Sequence, residues 1–376
     1  MTMYDLIVAG AGPAGSAAAR EAALQGLDVL ILEKESFPRY KPCGGALSRR
    51  AISLLDFTIP DNICERTITG ARVHFRDNVL ERHKGYDLTT LITRSSFDHY
   101  LLQKSLQSGA KIETEKVIDF QEKDDWVSVR TKGEIRRGRF LVIACGCQDR
   151  LKNRIQGPDR KETTGVCLVA EIEEDDRRIQ ERLGSTLDIH FGVAQGGYGW
   201  IFPHRGYYSV GIGGLCSRLS HPRQSMRQFL KKNGFPDDLR LSGHLIPQGG
   251  NKRQISRGRV LLAGDAAGFV DPFMGEGISY AISSGKIAGQ VIGEVHAHQV
   301  ARTYEKRIKD DFGEELRYAL FFTKMMHSFP DIFLSIMACE DEILDRYIDI
   351  AAARISYKDF IRWLVPRIPM SLLRAI

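Results

Sequence analysis

The chain has 376 residues, 43% of them hydrophobic, and a formal net charge of +6, enough apolar sequence for one large domain or two ordinary ones. The modest positive charge is compatible with an anionic partner or a membrane surface and does not point to nucleic acid. No basic opening region leads into an apolar one, and no run of about 18 apolar residues is available to span a bilayer, so the expected location is the cytoplasm.

The first predicted element is a buried strand, Asp5 to Ala9, which leads directly into Gly10-x-Gly12-x-x-Gly15. An alanine-rich helix stopped at Gly26 follows, then a second strand, Asp28 to Leu32, ending at Glu33. This is the pattern of a dinucleotide-binding βαβ unit. Gly10 permits the tight turn, Gly12 lets backbone approach a pyrophosphate, and Gly15 lets the helix pack on the sheet. The helix opens with Pro13 and Ala14, and its unpaired N–H groups carry partial positive charge toward the phosphates. Glu33 can accept from a ribose diol and would repel a 2′-phosphate, which suits FAD or NAD better than NADP.

Next comes PRYKPCGG, Pro38 to Gly45, with two prolines, two cations, a thiol and a double glycine. Arg94 then precedes a helical spacing of Phe97, Leu101, Leu102 and Leu106, with Gly109 as the stop and a β-like tail around Val117. After a strand from Arg139 to Ala144, Cys145 and Cys147 read as packed thiols. Seven cysteines make an odd count for a disulfide framework and show no paired Cys-x-x-Cys units. Reduced core cysteines and no metal are expected.

Residues 166 to 215 alternate in β fashion, and Tyr198, Trp200 and Phe202 fall on one strand face, as cavity wall or as sheet core. Val260 to Ala263 read as another buried strand, with Asp265 at its end and Gly275-Glu276-Gly277 opening a small-residue helix from about Ile278. A carboxylate at a strand end can hold a polyol, and a helix N-terminus beside it can stabilise negative charge. Beyond about residue 285 apolar residues recur at helical spacing, as in Leu316, Leu320, Met326, Ile332 and Ile336. The last segment, YKDFIRWLVPRIPMSLLRAI, mixes Phe360, Ile361, Trp363, Leu364, Leu372 and Leu373 with Arg362, Arg367 and Arg374. That composition suits a membrane interface or packing on the protein's own core, and Pro366 and Pro369 rule out one uninterrupted helix.

The glycine turn, the Gly264-Asp265 strand end and the Arg94 helix resemble the FAD-dependent superfamily typified by para-hydroxybenzoate hydroxylase. Within it, PRYKPCGGALS and Tyr198-Gly199-Trp200-Ile201-Phe202-Pro203 resemble the geranylgeranyl reductases, flavoenzymes that saturate isoprenoid double bonds. The resemblance implies that Asp265 binds the ribityl chain of FAD, that the N–H groups of Gly277 and Ile278 face the flavin pyrimidine edge, and that Arg94 reaches the cofactor. It also places a strand around Val117 beside the adenine and brings Gly44, Ala46 and Cys43 to the flavin. Cys43 is a proton donor or a wall of the site; Arg39 and Lys41 contact FAD phosphates or an anionic head group. A departure is Ala144-Cys145-Gly146 where hydroxylases carry Ala-Asp-Gly: the glycine is kept and the acid is lost, so nicotinamide handling by that aspartate does not transfer.

The fold expected is therefore α/β: a Rossmann-like FAD-binding domain from 1–70, 90–165 and 250–295, an inserted antiparallel β-sheet substrate domain from 71–89 and 166–249, and a helical part from 296–376. The expected partners are an isoprenoid or prenyl-lipid substrate, an electron donor that is NAD(P)H or a ferredoxin-like protein, and a peripheral membrane contact. A flavin monooxygenase or halogenase, and a flavin-containing lipid-binding protein without turnover, are the competing readings. Flavin halogenases carry Trp-x-Trp-x-Ile-Pro, and here Tyr198 and Phe202 occupy the first and fifth positions.

Overall fold

The computed structural model describes residues 3–328 and 341–367. Strand Met3–Ala9 lies inside an eight-stranded sheet, flanked in parallel by Val29–Glu33 on one side and Ile135–Ile143 on the other. Lys111–Thr114 extends the first side and Val260–Leu262 the second, both in parallel. All five residues of Val29–Glu33 are buried, the state of a parallel strand covered on both faces. Val117 departs from expectation: it is buried, but in the connection between strands Lys111–Thr114 and Asp119–Glu122. A direction change is needed there because Asp119–Glu122 leaves the parallel path to pair antiparallel with Val127–Arg130.

Helix Pro13–Leu24 follows the glycine turn and packs along helix Ile278–Glu294. A Cβ on Gly285 would stand 2.2 Å from the Ala14 carbonyl oxygen, and one on Gly289 would stand 2.5 Å from that of Ala18. The small residues noted in both helices thus permit backbone-to-backbone contact. Gly264 sits between Ala14 and Ala281 at the start of this pair, which brings the Asp265 turn to the glycine turn although some 250 residues separate them.

A seven-stranded sheet runs in the order Ser242–Pro247, Thr164–Glu173, Tyr207–Leu215, Gly197–Pro203, Thr186–Phe191, Gly70–Phe75 and Asn78–His83. It is antiparallel except where Thr186–Phe191 pairs in parallel with Gly70–Phe75. That one pairing joins distant segments, so no hairpin fixes their direction. Along Gly197–Pro203 the alternation holds: Ile201 packs outward with Tyr208, Phe229 and Leu230, and Trp200 and Phe202 pack inward with Phe191 and Phe273. A small sheet of Ala46–Ser48, Thr89–Ile92 and Cys64–Ile68 lies apart from these two.

The C-terminal part is helical, with Val300–Ile308, Glu314–Ser328, Asp341–Ala351 and Tyr357–Leu364. Leu316, Leu320 and Met326 are buried as their spacing predicts, whereas Ile332 and Ile336 lie outside the described residues. Tyr357, Phe360, Ile361 and Leu364 are buried in the protein's own core, Phe360 edge-on to Phe322; Pro369, Leu372, Leu373 and Arg374 lie outside the described residues. Among the described residues no helix is long and apolar enough to cross a membrane.

Candidate active site

A cavity of about 1300 Å³ extends from the first βα turn to the inner face of the seven-stranded sheet. Every cofactor or substrate contact expected from the sequence lines it except Gly15. Gly15 acts one layer behind: a Cβ there would lie 1.8 Å from the Gly10 carbonyl oxygen. Gly10 itself has φ +101°, and a Cβ on it would meet the Ala144 carbonyl oxygen at 2.6 Å, so both conformation and space demand glycine. Glu33 is buried, and its two oxygens accept from the Ala11 N–H at 2.7 Å and the Glu35 N–H at 3.0 Å. The acid therefore braces the glycine turn as well as facing the cavity.

Asp98 was not foreseen. Its carboxylate has no solvent exposure and accepts from Nε and Nη2 of Arg94, both at 2.8 Å, while Arg39 Nη2 lies 3.1 Å away. The signal was available as the i, i+4 spacing of Arg94 and Asp98 on a predicted helix. Burial alone would weaken the Arg94 cation, but the adjoining carboxylate outweighs it and holds the pKa above its ordinary value. Two guanidinium groups thus share one carboxylate, leaving an uncompensated positive charge. Arg39 Nη1 is buried without a hydrogen-bond partner, and Arg39 Nη2 lies 3.4 Å from where a Gly12 Cβ would be. An unpaired buried guanidinium nitrogen beside a glycine turn and a helix N-terminus fits a diphosphate. The arrangement accepts FAD.

The PRYKPCGG loop rests on the substrate sheet. A Cβ on Gly44 would touch the Phe202 ring at 2.9 Å and Trp200 Nε1 at 3.2 Å. Gly45, at φ +73°, turns the chain so that its N–H donates to Cys43 Sγ at 3.4 Å. His204, fully buried, donates from Nε2 to the Gly44 carbonyl at 3.0 Å, and its Nδ1 lies at hydrogen-bond distance from Glu65 and from the Tyr207 hydroxyl. The Arg94 guanidinium faces the Cys43 thiol. The loop's other cation takes a different path: Lys41 Nζ lies 2.6 Å from His244 Nε2, and that nitrogen is 3.5 Å from Asp265 Oδ2. Burial lowers the pKa of Lys41, and burial followed by the neighbouring Lys41 cation lowers that of His244. Burial alone would raise Asp265, but His244 and Lys41 reverse it, so the acid stays ionised. His244 carried no sequence signal: it is a lone histidine on an edge strand.

Tyr198, Trp200 and Phe202 all face the cavity. The Tyr198 hydroxyl donates to the Met274 carbonyl, and burial raises its pKa, which keeps it neutral. Trp200 Nε1 points to Ser209 Oγ at 3.4 Å. Cys147 is buried, its thiol donating to the Leu245 carbonyl at 2.8 Å, with its pKa pushed up to about 12 by burial. Burial likewise raises Cys145. Both are packed thiols and free.

The family model for FAD dependent oxidoreductases matches residues 5–148. An uncharacterized protein of Methanosarcina barkeri is 31% identical over 318 residues, covering 82% of this chain and 81% of its own. A digeranylgeranylglycerophospholipid reductase of Methanocella arvoryzae is 30% identical over 342 residues, covering 83% of this chain and 84% of its own. In three dimensions, a geranylgeranyl bacteriochlorophyll reductase-like protein from Thermoplasma acidophilum superimposes with a TM-score of 0.80 at 23% identity over 100% of both chains. The flavin-dependent brominase Bmp2 shares the fold, with a TM-score of 0.72 at 20% identity over 97% of this chain and 99% of its own.

Proposed function

Since the chain belongs to the geranylgeranyl reductase-like family of FAD-dependent oxidoreductases, we propose that it saturates carbon–carbon double bonds of an isoprenoid lipid, quinone or pigment precursor. The observation that carries this reading is the continuity of the cavity: a charged, glycine-built dinucleotide end passes without a partition into an apolar chamber walled by Trp200, Phe202, Phe191, Phe273 and Met326. Such a chamber takes a long apolar chain and excludes the water that would compete for a reduced cofactor.

FAD, when bound and reduced, supplies the hydride that alkene saturation requires. The chain's own residues do the rest. Arg39, Arg94 and the turn from Gly10 to Gly15 would hold the diphosphate, Asp265 would hold the ribityl chain, and the N-terminus of helix Ile278–Glu294 would favour negative charge on the bound group. The second carbon needs a proton. Cys43, in the loop whose Gly44 rests on Phe202 and Trp200, would donate it, and the Lys41–His244 pair would return a proton to the cavity. The electron donor is NAD(P)H or a ferredoxin-like protein visiting transiently, as no second strand-linked Gly-x-Gly-x-x-Gly occurs. The protein works in the cytoplasm, touching the membrane peripherally to reach its lipid.

The test is single turnover: flavin reduced anaerobically is mixed with geranylgeranyl compounds. Reoxidation in step with a product two hydrogens heavier, free of added oxygen or halogen, is expected. Oxygen or halogen incorporation into an aromatic would assign the site to the monooxygenase or halogenase class, and binding without reoxidation would make it a carrier.

A further inference from the structure

His204 stands one residue beyond strand Gly197–Pro203 and continues the alternation of Tyr198, Trp200 and Phe202. Those three side chains line the cavity, whereas His204 is 1% exposed and lies against the PRYKPCGG loop. A Cβ on Gly45 would stand 2.6 Å from His204 Cε1, so the glycine turn is seated directly on the imidazole. The carbonyls of Cys43, Gly44 and Gly45 are each held by a different donor: Ser209 Oγ at 3.4 Å, His204 Nε2 at 3.0 Å and the Ile92 N–H at 2.9 Å. Of these, the bond from His204 falls on the Gly44–Gly45 peptide, and the N–H of that same peptide donates to Cys43 Sγ.

The imidazole is itself braced. The Tyr207 ring stacks on it at 4.6 Å, and Glu65 Oε2 meets its Nδ1. Glu65 reaches the ring because strand Cys64–Ile68 is irregular there: Cys64 pairs with Ile92 and Arg66 with Leu91, which leaves Glu65 as the extra residue of a bulge. A bulge re-aims a side chain in this way. The other Glu65 oxygen accepts from the hydroxyl of Thr93, which caps the helix that begins at Arg94. Burial alone would raise the pKa of Glu65, but the hydrogen bonds with His204 and Thr93 reverse it and keep the carboxylate ionised. A carboxylate at one ring nitrogen fixes the orientation of the other.

On the reading of the site as an alkene reductase with Cys43 as proton donor, we propose that His204, braced by Glu65, is a positioning residue that acts on Cys43 through the Gly44–Gly45 peptide. That peptide is trans, so its C=O and N–H point to opposite sides. The bond from His204 Nε2 on one side therefore aims the Gly45 N–H at the sulfur on the other, and it polarises the peptide so that the N–H becomes a better donor. When Cys43 gives its proton to the second alkene carbon, the sulfur keeps the electron pair and becomes a thiolate. The Gly45 N–H faces that charge as it forms. Neither His204 nor Glu65 lines the cavity, and neither touches substrate.

Two isosteres separate the ring nitrogens: a glutamine amide reaches the Nε2 position and keeps the bond to Gly44, whereas an asparagine amide stops near Nδ1 and loses it. In the FAD-loaded full chain, alkylation of Cys43 by iodoacetamide is followed by peptide mass spectrometry, and single-turnover reduction of a geranylgeranyl compound by flavin absorbance. Cys43 is free and partly exposed, so alkylation reads the thiolate. His204→Asn should slow alkylation about fivefold and reduction about tenfold, the effect of one lost hydrogen bond, with FAD affinity and lipid half-saturation within about twofold of the parent. His204→Gln should recover most of each. Glu65→Gln keeps the volume, removes the bracing charge and should slow both about twofold; it carries the test if the asparagine variant does not fold. Unchanged rates in His204→Asn or, where that fails to fold, in Glu65→Gln overturn the assignment. So does faster alkylation, which would mean a released loop, or a glutamine variant as slow as the asparagine one. A parent that reduces no alkene defeats the reading of the site instead, and the alkylation rates then still decide whether His204 acts on Cys43.

Discussion

Replacing Asp271 with Asn should stabilise the folded protein at alkaline pH and lose that advantage in acid. Asp271 is 3% exposed and belongs to the loop between Asp265 and the small-residue helix. All three of its donors converge on Oδ1: the N–H groups of Phe273 and Met274, both at 2.8 Å, and the Tyr357 hydroxyl at 3.1 Å. Burial is the largest influence on the carboxyl and holds its pKa at about 6, against an ordinary 3.8. The folded chain keeps this proton where the unfolded chain has released it. Stability contributed by this group is therefore present in acid, falls as pH rises from about 4 to about 6, and stays lost above that. At about 1.4 kcal/mol for each tenfold in proton affinity, the ionised carboxylate costs about 3 kcal/mol at pH 8.

Asparagine keeps an acceptor at Oδ1 and carries no charge, but its amide must find a partner at the Oδ2 position, so the expected gain is about 1–3 kcal/mol at pH 8. Urea denaturation of parent and variant at pH 4.5 and pH 8, with FAD equally saturating and circular dichroism as the readout, measures the difference. A variant less stable than the parent at pH 8 would mean that the three donors fully support the anion. A pH-independent difference would mean that Asp271 does not titrate in this range.

Asp265→Ala should purify with little FAD, read as the ratio of flavin to protein absorbance; full occupancy would remove the ribityl assignment. Arg39→Gln deletes the unpaired guanidinium and should weaken FAD binding about 10–100-fold by fluorescence titration, the range for a hydrogen bond to a charged group; unchanged affinity would mean that Arg39 serves only Asp98. Cys43→Ser should retain FAD and slow alkene reduction, and an unchanged single-turnover rate would leave the thiol as wall alone.

Much of the site was legible because it is written in contiguous backbone. The strand, Gly10-x-Gly12-x-x-Gly15 and helix must appear in that order for the turn to close, and Gly264-Asp265 with Gly277-Ile278 obeys a similar local logic. The alternation of Tyr198, Trp200 and Phe202 already placed them on one face. The C-terminal helices were visible as apolar spacing, but the sequence did not choose between core and interface for Phe360 and Leu364, which the fold buries in the core.

Other features had no local signature. The parallel pairing of Gly70–Phe75 with Thr186–Phe191 joins segments that no hairpin connects, so strand direction could not be deduced. The resemblance brought Arg94 to the cofactor and Arg39 to FAD phosphates or an anionic head group, but only the fold places both on Asp98 and leaves one guanidinium nitrogen unpaired. Lys41 and His244 are 203 residues apart, and neither position implies the other. Sequence by itself determined the local turns, periodicities and cofactor class, because these follow from backbone conformation over a few residues. Tertiary structure decided which charges share a partner and which groups each histidine meets, because those depend on contacts between segments that only the packed sheets and helices bring together.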